Sequence, residues 1–210
     1  MKRKVFAGIM LLALCAASFG ASKQNDELKR MSTFISNFTE QQMYDFDMEK
    51  DGDNGLIHLG DPDDVYSLYY FGIVHNIINN PKSTLKACPD KKCLYGKNIM
   101  SAQAVAASVK KYFGVSIKGR ELPEAGDSDF AVHYDGKNYH FNASSWMPDT
   151  MYYAEVQKVS RRKGIITMSG ELYNPNNKKD RPATFTATAK PHVWNGKDTW
   201  AILSLVVERK

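Results

Sequence analysis

A strand–turn–strand pattern reads FAVHYDGKNYHF at residues 130–141. Apolar and polar residues alternate on both sides of Asp135–Asn138, which supplies residues that favour a turn. A four-residue loop would place His133 opposite His140, whereas a two-residue Asp-Gly turn would place His133 opposite Asn138. At this segment the chain changes from helical patterns to strand patterns, and the change decides the fold class.

Four further strand patterns follow the hairpin, and turn-forming residues separate them. The predicted strands cover residues 151–159, 165–173, 184–190 and 200–207, and the connections cover residues 161–164, 174–182 and 195–198. Because neighbouring strands are joined by short connections, we expect an antiparallel meander of about six strands.

Three helical patterns precede the strands. The first covers Asp26–Met43, where apolar residues recur at steps of three and four, and the second is apolar on most sides and ends at Asn80-Pro81. The third covers Ala104–Phe113, with Ser101 as its N-terminal cap and Gly114 as its stop.

Helices followed by strands predict an α+β fold, with N-terminal helices ahead of a curved antiparallel β-meander. We expect a helical part at residues 22–97 and a helix plus antiparallel sheet at residues 98–210. The second part would be cystatin-like or NTF2-like and would pack with the first as one unit.

The first 21 residues have the pattern of a secretory signal peptide. Basic residues at positions 2–4 precede the apolar run Val5–Ala17, and small residues near position 20 suit cleavage. The run is short for a membrane span, so we expect an exported periplasmic or secreted protein without a transmembrane segment. Lipid attachment at Cys15 is the alternative, although Leu14 stands where a small residue is usual.

The formal net charge of the chain is +5, and it falls to +2 once the three basic residues of the signal peptide are removed. This small excess does not favour nucleic-acid binding. The charge is unevenly spread, with 12 acidic and 6 basic side chains in residues 22–90 and 11 acidic and 19 basic side chains in residues 91–210. Complementary faces within the protein or a partner surface would each explain the asymmetry.

Cys88 and Cys93 remain after signal-peptide removal. An even pair this close in an exported protein predicts a small disulfide loop. A redox-active pair would usually be spaced as Cys-x-x-Cys, and a zinc site would need two more ligands. The second metal candidate is the pair His133 and His140, which would be close enough to share an ion if they lie opposite each other, although solvated histidines are the simpler interpretation.

Acidic residues at Glu49, Asp51, Asp53 and Asp61 resemble the start of a calcium-binding loop, and calcium is the one cofactor that the sequence suggests. Gly60 occupies the position where such a loop needs a bidentate carboxylate. A solvated polar turn is the alternative.

The sequence contains none of the usual nucleophile, zinc-protease or phosphate-loop motifs. We therefore expect no enzyme activity and no catalytic residues. An envelope enzyme would need a carboxylate such as Glu155 or Glu171 beside the histidine pair. A cationic rim could form where two turns of the meander meet, from Arg161, Arg162, Lys163 and Lys197.

Polar residues interrupt the apolar faces of the first two helices. Asn37 lies on the first helix, and His75 and Asn76 lie on the second. We expect these three side chains to form a buried hydrogen-bonded network that joins the two helices.

Four segments taken together resemble a group of exported bacterial proteins, often lipoproteins, to which no activity is assigned. They are FISNFTE at residues 34–40, YFGIVHNIINN at residues 70–80, KKYFG at residues 110–114 and YDGKNY at residues 134–139. The resemblance covers most of the mature chain and implies export, but it carries over no cofactor or catalytic residue.

The sequence as a whole predicts an exported envelope protein that acts as a non-catalytic binding module. Its ligand would be a protein, a peptide or a cell-wall component, bound through a concave face or the cationic rim. An envelope enzyme with a pocket around His133 and His140, and a calcium-stabilised structural protein, are the two alternatives.

Overall fold

The structure is a computed structural model, and it describes residues 24–48, 62–122 and 131–210. The helices are α1 (24–39), α2 (Pro62–Asn79), α3 (Pro81–Thr84) and α4 (Ala102–Phe113). The strands are β1 (Phe46–Asp47), β2 (Lys86–Ala87), β3 (Asn98–Ser101), β4 (His133–Tyr134), β5 (Asn138–Phe141), β6 (Tyr153–Arg162), β7 (Ile165–Tyr173), β8 (Ala183–Trp194) and β9 (Lys197–Arg209). The predicted α+β class is confirmed. Within these ranges no helix is both long enough and apolar enough to cross a membrane.

The strands form two antiparallel sheets where the sequence predicted one meander. The large sheet has the order β1-β9-β8-β7-β6, and the small sheet has the order β2-β3-β5-β4. The β4–β5 hairpin separates from the meander because β5 pairs with β3, opposite the side that pairs with β4. The strand β3 has four residues and β2 has two, so neither gives a recognisable strand pattern.

The helices α2 and α4 lie between the sheets and contribute to two hydrophobic cores. Phe71 and Val109 belong to the core beneath the large sheet, which α1 also enters. Ile73 and Val105 belong to the core beneath the small sheet. A helix buried on two sides must be apolar around most of its circumference, which is the pattern that α2 shows.

The ends of α2 and α4 follow the sequence signals, but the end of α1 does not. Ser101 Oγ accepts the N–H of Ala104 at 3.2 Å, and Gly114 adopts a left-handed conformation with φ of 71°. The helix α1 stops before the predicted Met43, because Gln42 has a φ of 57° and Met43 N–H returns to the carbonyl of Phe38 at 3.0 Å. This hydrogen-bond pattern usually uses glycine, and no glycine stands here to indicate the helix end.

The helix α1 lies against β6, the edge strand of the large sheet. Ser32 Oγ accepts the N–H of Val156 at 2.9 Å, and Ser36 Oγ accepts the N–H of Ala154 at 3.0 Å. These serines satisfy backbone donors that an edge strand would otherwise leave for a neighbouring chain. Towards the other end of β6, Arg161 Nη2 lies 2.6 Å from Oε1 of Glu27 on α1.

The crossing of α2 and α4 depends on a glycine. A Cβ atom at Gly72 would lie 2.6 Å from Val105 Cγ1 and 2.9 Å from the Val105 carbonyl oxygen. Such distances are shorter than van der Waals contact, so the helices can approach this closely only where the side chain is absent.

Gly72→Ala is expected to lower the free energy of unfolding by about 1–3 kcal/mol, because the added methyl group must push α2 and α4 apart. Alanine alone would favour the helix by about 1 kcal/mol, so the sign of the change is diagnostic. Urea unfolding measures it. In a double-mutant cycle, Val105→Ala should recover part of the loss, and a stabilised Gly72→Ala protein would contradict the close contact.

Candidate functional site

Two cysteines and a histidine come together on the small sheet. Cys88 follows β2, Cys93 lies in the loop between β2 and β3, and His140 lies on β5. The sulfur of Cys88 is 3.6 Å from His140 Nδ1, and the sulfur of Cys93 is 3.4 Å from the same nitrogen. We call these three residues the thiol–imidazole cluster.

Backbone contacts hold the loop that carries the cysteines against β5. Cys88 N–H donates to the Lys97 carbonyl at 2.8 Å, and Lys97 N–H donates to Asn142 Oδ1 at 3.1 Å. Gly96 has a φ of 142°, and a Cβ there would lie 2.2 Å from the Phe141 carbonyl carbon. Only glycine satisfies both conditions, so Gly96 allows the loop to pack directly on the strand that carries His140.

Asp135 orients the imidazole from its other side. His140 Nε2 lies 2.9 Å from Asp135 Oδ2, and Asp135 Oδ1 also accepts the N–H groups of Lys137 and Asn138 at 2.8 and 2.6 Å. Because an ionised carboxylate only accepts hydrogen bonds, His140 Nε2 must carry the proton in this contact. In the neutral ring, Nδ1 then presents its lone pair to the two sulfurs.

The ionisation of the site follows from these contacts. The hydrogen bond from His140, together with the N–H of Asn138, lowers the pKa of Asp135 well below its usual range. Partial burial opposes protonation of His140, but its hydrogen bonds to Asp135 and Cys93 raise the pKa of the imidazole. Partial burial also disfavours a charged Cys93, yet the N–H groups of Tyr95 and Gly96 and the imidazole of His140 lower the pKa of this thiol.

His133 lies beside the cluster but outside it. The four-residue loop is confirmed, because His133 pairs with His140 and Tyr134 pairs with Tyr139. The two imidazole rings have centroids 6.1 Å apart, and His133 Nδ1 lies 3.2 Å from Glu121 Oε1. Tyr95 stacks on the His133 ring with centroids 4.1 Å apart. The histidine pair is thus real, but the nearest partners of His140 are the cysteines.

The structure does not show the predicted disulfide, and Cys88 and Cys93 are both free thiols in it. Instead of pairing only with each other, the two sulfurs converge on His140 Nδ1. Sequence analysis missed the cluster because His140 is 47 residues from Cys93, and only the β3–β5 pairing brings them together.

A polar cleft runs along α1 on the side of the edge strand β6. Its larger part has a volume of about 740 Å³, and its smaller part has a volume of about 260 Å³. Tyr173 borders both parts. Lys29, Lys178, Arg181 and Glu155 line the larger part, and Glu40 and Tyr153 line the smaller part. We call this feature the α1 cleft.

The basic residues of the α1 cleft differ in how their charges are balanced. Arg181 forms ion pairs with Glu155 and Glu171, the latter at 3.0 Å. In the described part of the chain, Lys29 and Lys178 have no carboxylate partner within ion-pair distance, and Lys178 Nζ lies 6.0 Å from the centroid of the Tyr173 ring. The larger part of the cleft therefore has a net positive charge.

The structure does not place Glu155 or Glu171 beside the histidine pair, which the enzyme alternative would require. Both carboxylates lie on the large sheet and bind Arg181, whereas His133 and His140 lie on the small sheet. Separate sheets carry the two groups, so neither carboxylate meets the histidine pair.

The two turns that carry the predicted cationic rim lie at the same end of the large sheet, but one extends farther than the other. The β6–β7 and β8–β9 turns lie at one end of the large sheet, because β7 pairs with both β6 and β8. However, β8 continues past Ala189 to Trp194, which pairs with Lys197, so Lys197 lies farther along the sheet than Lys163. Arg161 Nη2 is 2.6 Å from Glu27 Oε1 and its charge is balanced, while Arg162 is exposed.

The calcium candidates Glu49, Asp51, Asp53 and Asp61 lie outside the described residues.

A buried polar network lies between the helices, but its links differ from the predicted ones. Asn37 Oδ1 accepts the hydroxyl of Tyr112 at 3.0 Å, and Asn76 Nδ2 donates to Ser108 Oγ at 2.8 Å, so both asparagines reach α4. The link between α1 and α2 is a hydrogen bond from the Asn79 amide to Glu40.

His75 and Glu40 are almost fully buried, and both meet Asn79. His75 Nδ1 lies 3.3 Å from Asn79 Nδ2, so the imidazole belongs to the same network. Burial lowers the pKa of His75 to about 3, with a further contribution from Lys111. Burial raises the pKa of Glu40, although the hydrogen bond from Asn79 opposes the change.

His75→Gln is expected to reduce the loss of stability in acid. The unfolded imidazole has a pKa of about 6.5, so the unfolded chain binds more protons at this site than the folded chain as the pH falls from 6.5 towards 3. The His75 contribution is therefore present above pH 6.5 and is lost by up to about 1.4 kcal/mol per pH unit below it. Urea unfolding across this range measures the slope.

The control is His192→Gln on the β8–β9 hairpin. Glu40 acts in the opposite direction, because its raised pKa removes stability as the pH rises above the unfolded value, and Glu40→Gln tests that contribution separately. An acid slope that is the same in the wild-type and His75→Gln proteins would contradict a neutral buried His75.

Comparisons with known proteins give no match: no family model, no curated protein and no solved structure is significantly similar to the chain. The resemblance of the four segments to exported bacterial proteins, and of the C-terminal part to cystatin-like or NTF2-like domains, therefore stays a prediction.

Proposed function

We propose that this chain is an exported, non-catalytic binding protein of the bacterial envelope, and that its α1 cleft binds an anionic cell-wall fragment. The fragment would be a glycan-linked peptide that carries free carboxylates. The observation that supports this proposal is the pair Lys29 and Lys178, two cations without carboxylate partners among the described residues, at a polar cleft of about 740 Å³.

The charges of the cleft favour an anion over a cation. Arg181 is balanced by Glu155 and Glu171, so its charge is largely satisfied within the protein. Lys29 and Lys178 remain available, and each could donate a charge-assisted hydrogen bond to a ligand carboxylate. A neutral or cationic ligand would leave both lysines without a counter-charge.

The size and lining of the cleft suit a ligand larger than a single ion. Volumes of about 300–1,000 Å³ are typical of small-molecule sites, and the larger part falls within that range. Tyr173 borders both parts of the cleft and Tyr153 borders the smaller part, and each combines an apolar ring with a hydroxyl group that can hydrogen-bond a ligand.

The state of the carboxylates in the cleft supports binding over catalysis. Glu155 is paired with Arg181, and Glu40 is hydrogen-bonded to Asn79 with a raised pKa caused by burial. A general acid and a general base must each lie within hydrogen-bond reach of the ligand atom that gains or loses a proton. These two carboxylates are each held by a protein partner instead.

Export is the part of the proposal that depends on the sequence. The basic and apolar pattern of residues 1–21 supports a signal peptide, and an envelope location would give the protein access to cell-wall fragments.

The test uses the mature chain from residue 22 and soluble peptidoglycan fragments, with affinity measured by calorimetry. Lys29→Ala and Lys178→Ala are each expected to weaken binding about tenfold, which corresponds to 1.4 kcal/mol. Lys137→Ala, in the β4–β5 turn on the other sheet, is the matched control and should bind as the wild type does.

The same titration separates the cleft from the cationic rim. Loss of binding in a Lys163→Ala, Lys197→Ala double variant, with unchanged binding in the two cleft variants, would place the ligand at the rim. Absence of binding to any fragment, at low salt where charge interactions are strongest, would overturn the proposal.

A further inference from the structure

The thiol–imidazole cluster has a geometry that hydrogen bonding alone does not explain. Both sulfurs lie within 3.6 Å of His140 Nδ1, and the three atoms of Cys88, Cys93 and His140 all lie within 4.8 Å of one another. A ring nitrogen has one lone pair or one proton in the plane of the ring, so it cannot make a good hydrogen bond to two sulfurs at once.

The two sulfur–nitrogen distances match those between ligand atoms around one tetrahedral ion. With Zn–S bonds of about 2.3 Å and Zn–N bonds of about 2.0–2.1 Å, tetrahedral angles place sulfur and nitrogen about 3.5–3.6 Å apart. The observed distances are 3.4 and 3.6 Å. An ion can therefore enter between the three atoms without a large movement of the chain.

The contact between His140 and Asp135 also supports a metal site. A histidine that binds a metal usually donates its other ring N–H to a carboxylate or carbonyl, and this bond fixes the ring orientation. His140 Nε2 does so towards Asp135 Oδ2 at 2.9 Å, and Asp135 is itself held by the N–H groups of Lys137 and Asn138. The ring is thus held with Nδ1 directed at the sulfurs.

We propose that Cys88, Cys93 and His140 bind one thiophilic divalent transition-metal ion, for which Zn²⁺ is the probe, with Asp135 as the positioning residue for His140. The site lies on the small sheet and involves no residue of the α1 cleft, so it goes beyond the proposed function and does not depend on it.

Three protein ligands would leave a fourth tetrahedral position for a water molecule or another ligand. Among the described residues, only Cys88, Cys93 and His140 bring three possible metal-ligand atoms this close together. The chain therefore supplies three ligands. His133 Nδ1 is within hydrogen-bond distance of Glu121, so only Nε2 of this ring could bind an ion. Three ligands and an open position are typical of zinc sites that hold a water molecule or exchange a ligand.

Binding releases protons but requires no oxidant or reductant. Starting from two thiols and a neutral imidazole, each sulfur loses its proton to solvent and forms a bond to the ion, and Nδ1 donates its lone pair. The two thiolate charges then balance the charge of Zn²⁺. Affinity should consequently fall in acid, because protons compete for the same atoms.

The test is a titration of the reduced mature chain with Co²⁺ followed by displacement with Zn²⁺. We expect one ion per chain, the intense visible bands of tetrahedral Co²⁺ and the near-ultraviolet charge-transfer bands of thiolate ligands, all lost when Zn²⁺ is added. A weak octahedral spectrum, or stoichiometric binding without charge-transfer bands, would overturn the proposal.

Variants assign the ligands. Cys88→Ser, Cys93→Ser and His140→Gln should each abolish the charge-transfer bands or weaken binding by more than 100-fold. His192→Gln is the matched control and should bind as the wild type does. Asp135→Asn should lower affinity about 10–100-fold while the tetrahedral spectrum is kept, which a purely structural role for Asp135 would not produce.

A measurement on the wild-type chain covers the case in which a variant fails to fold. Zn²⁺ should protect both thiols from alkylation to the same extent, and chelation should restore their reactivity. Equal alkylation rates with and without Zn²⁺ would overturn the proposal. A chain isolated with Cys88 joined to Cys93, whose reduced form also fails to bind Co²⁺, would instead establish the disulfide predicted from the spacing.

Discussion

The close approach of α2 and α4 positions the side chains of both hydrophobic cores. Gly72 lets the two helices meet at Val105, and the pair then presents apolar side chains in two directions. One direction forms the core beneath the large sheet, and the other forms the core beneath the small sheet. A wider separation would weaken both cores together, because each contains side chains from both helices.

Buried polar groups fix the arrangement of the three long helices. Asn37 and Asn76 reach α4 through Tyr112 and Ser108, whereas Glu40 reaches α2 through Asn79. An apolar interface tolerates sliding, but each of these groups loses its hydrogen bond if the helices shift. The cost of this specificity is a pair of buried ionisable groups, and the folded state favours the neutral form of each.

Each candidate site lies beside a contact in which a side chain accepts hydrogen bonds from backbone N–H groups. At the large sheet, Ser32 and Ser36 of α1 satisfy the edge strand β6, and the polar cleft forms beside this contact. At the small sheet, the β2–β3 loop folds back on β5 through Gly96 and Asn142, and this brings two thiols to one imidazole. Each site thus combines residues of regular elements with loop residues, since His140 lies on β5 and Lys29 on α1, whereas Cys88, Cys93 and Lys178 lie in loops.

Elements with strong local signals could be predicted from the amino-acid sequence. Ser101, Gly114 and Asn80-Pro81 mark helix ends, and Asp135–Asn138 indicates a hairpin turn, because these residues act through their own backbone conformation. The length of that turn was open in the sequence, and the pairing of His133 with His140 comes from the structure. The short strands and the thiol–imidazole cluster depend instead on contacts between distant segments. The strands β1 and β2 have two residues each and form because β9 and β3 offer partners. In the same way, the thiols of Cys88 and Cys93 meet His140 through pairing between segments about fifty residues apart. Local patterns do not encode such distances, since contacts this remote depend on how the two cores pack around α2 and α4.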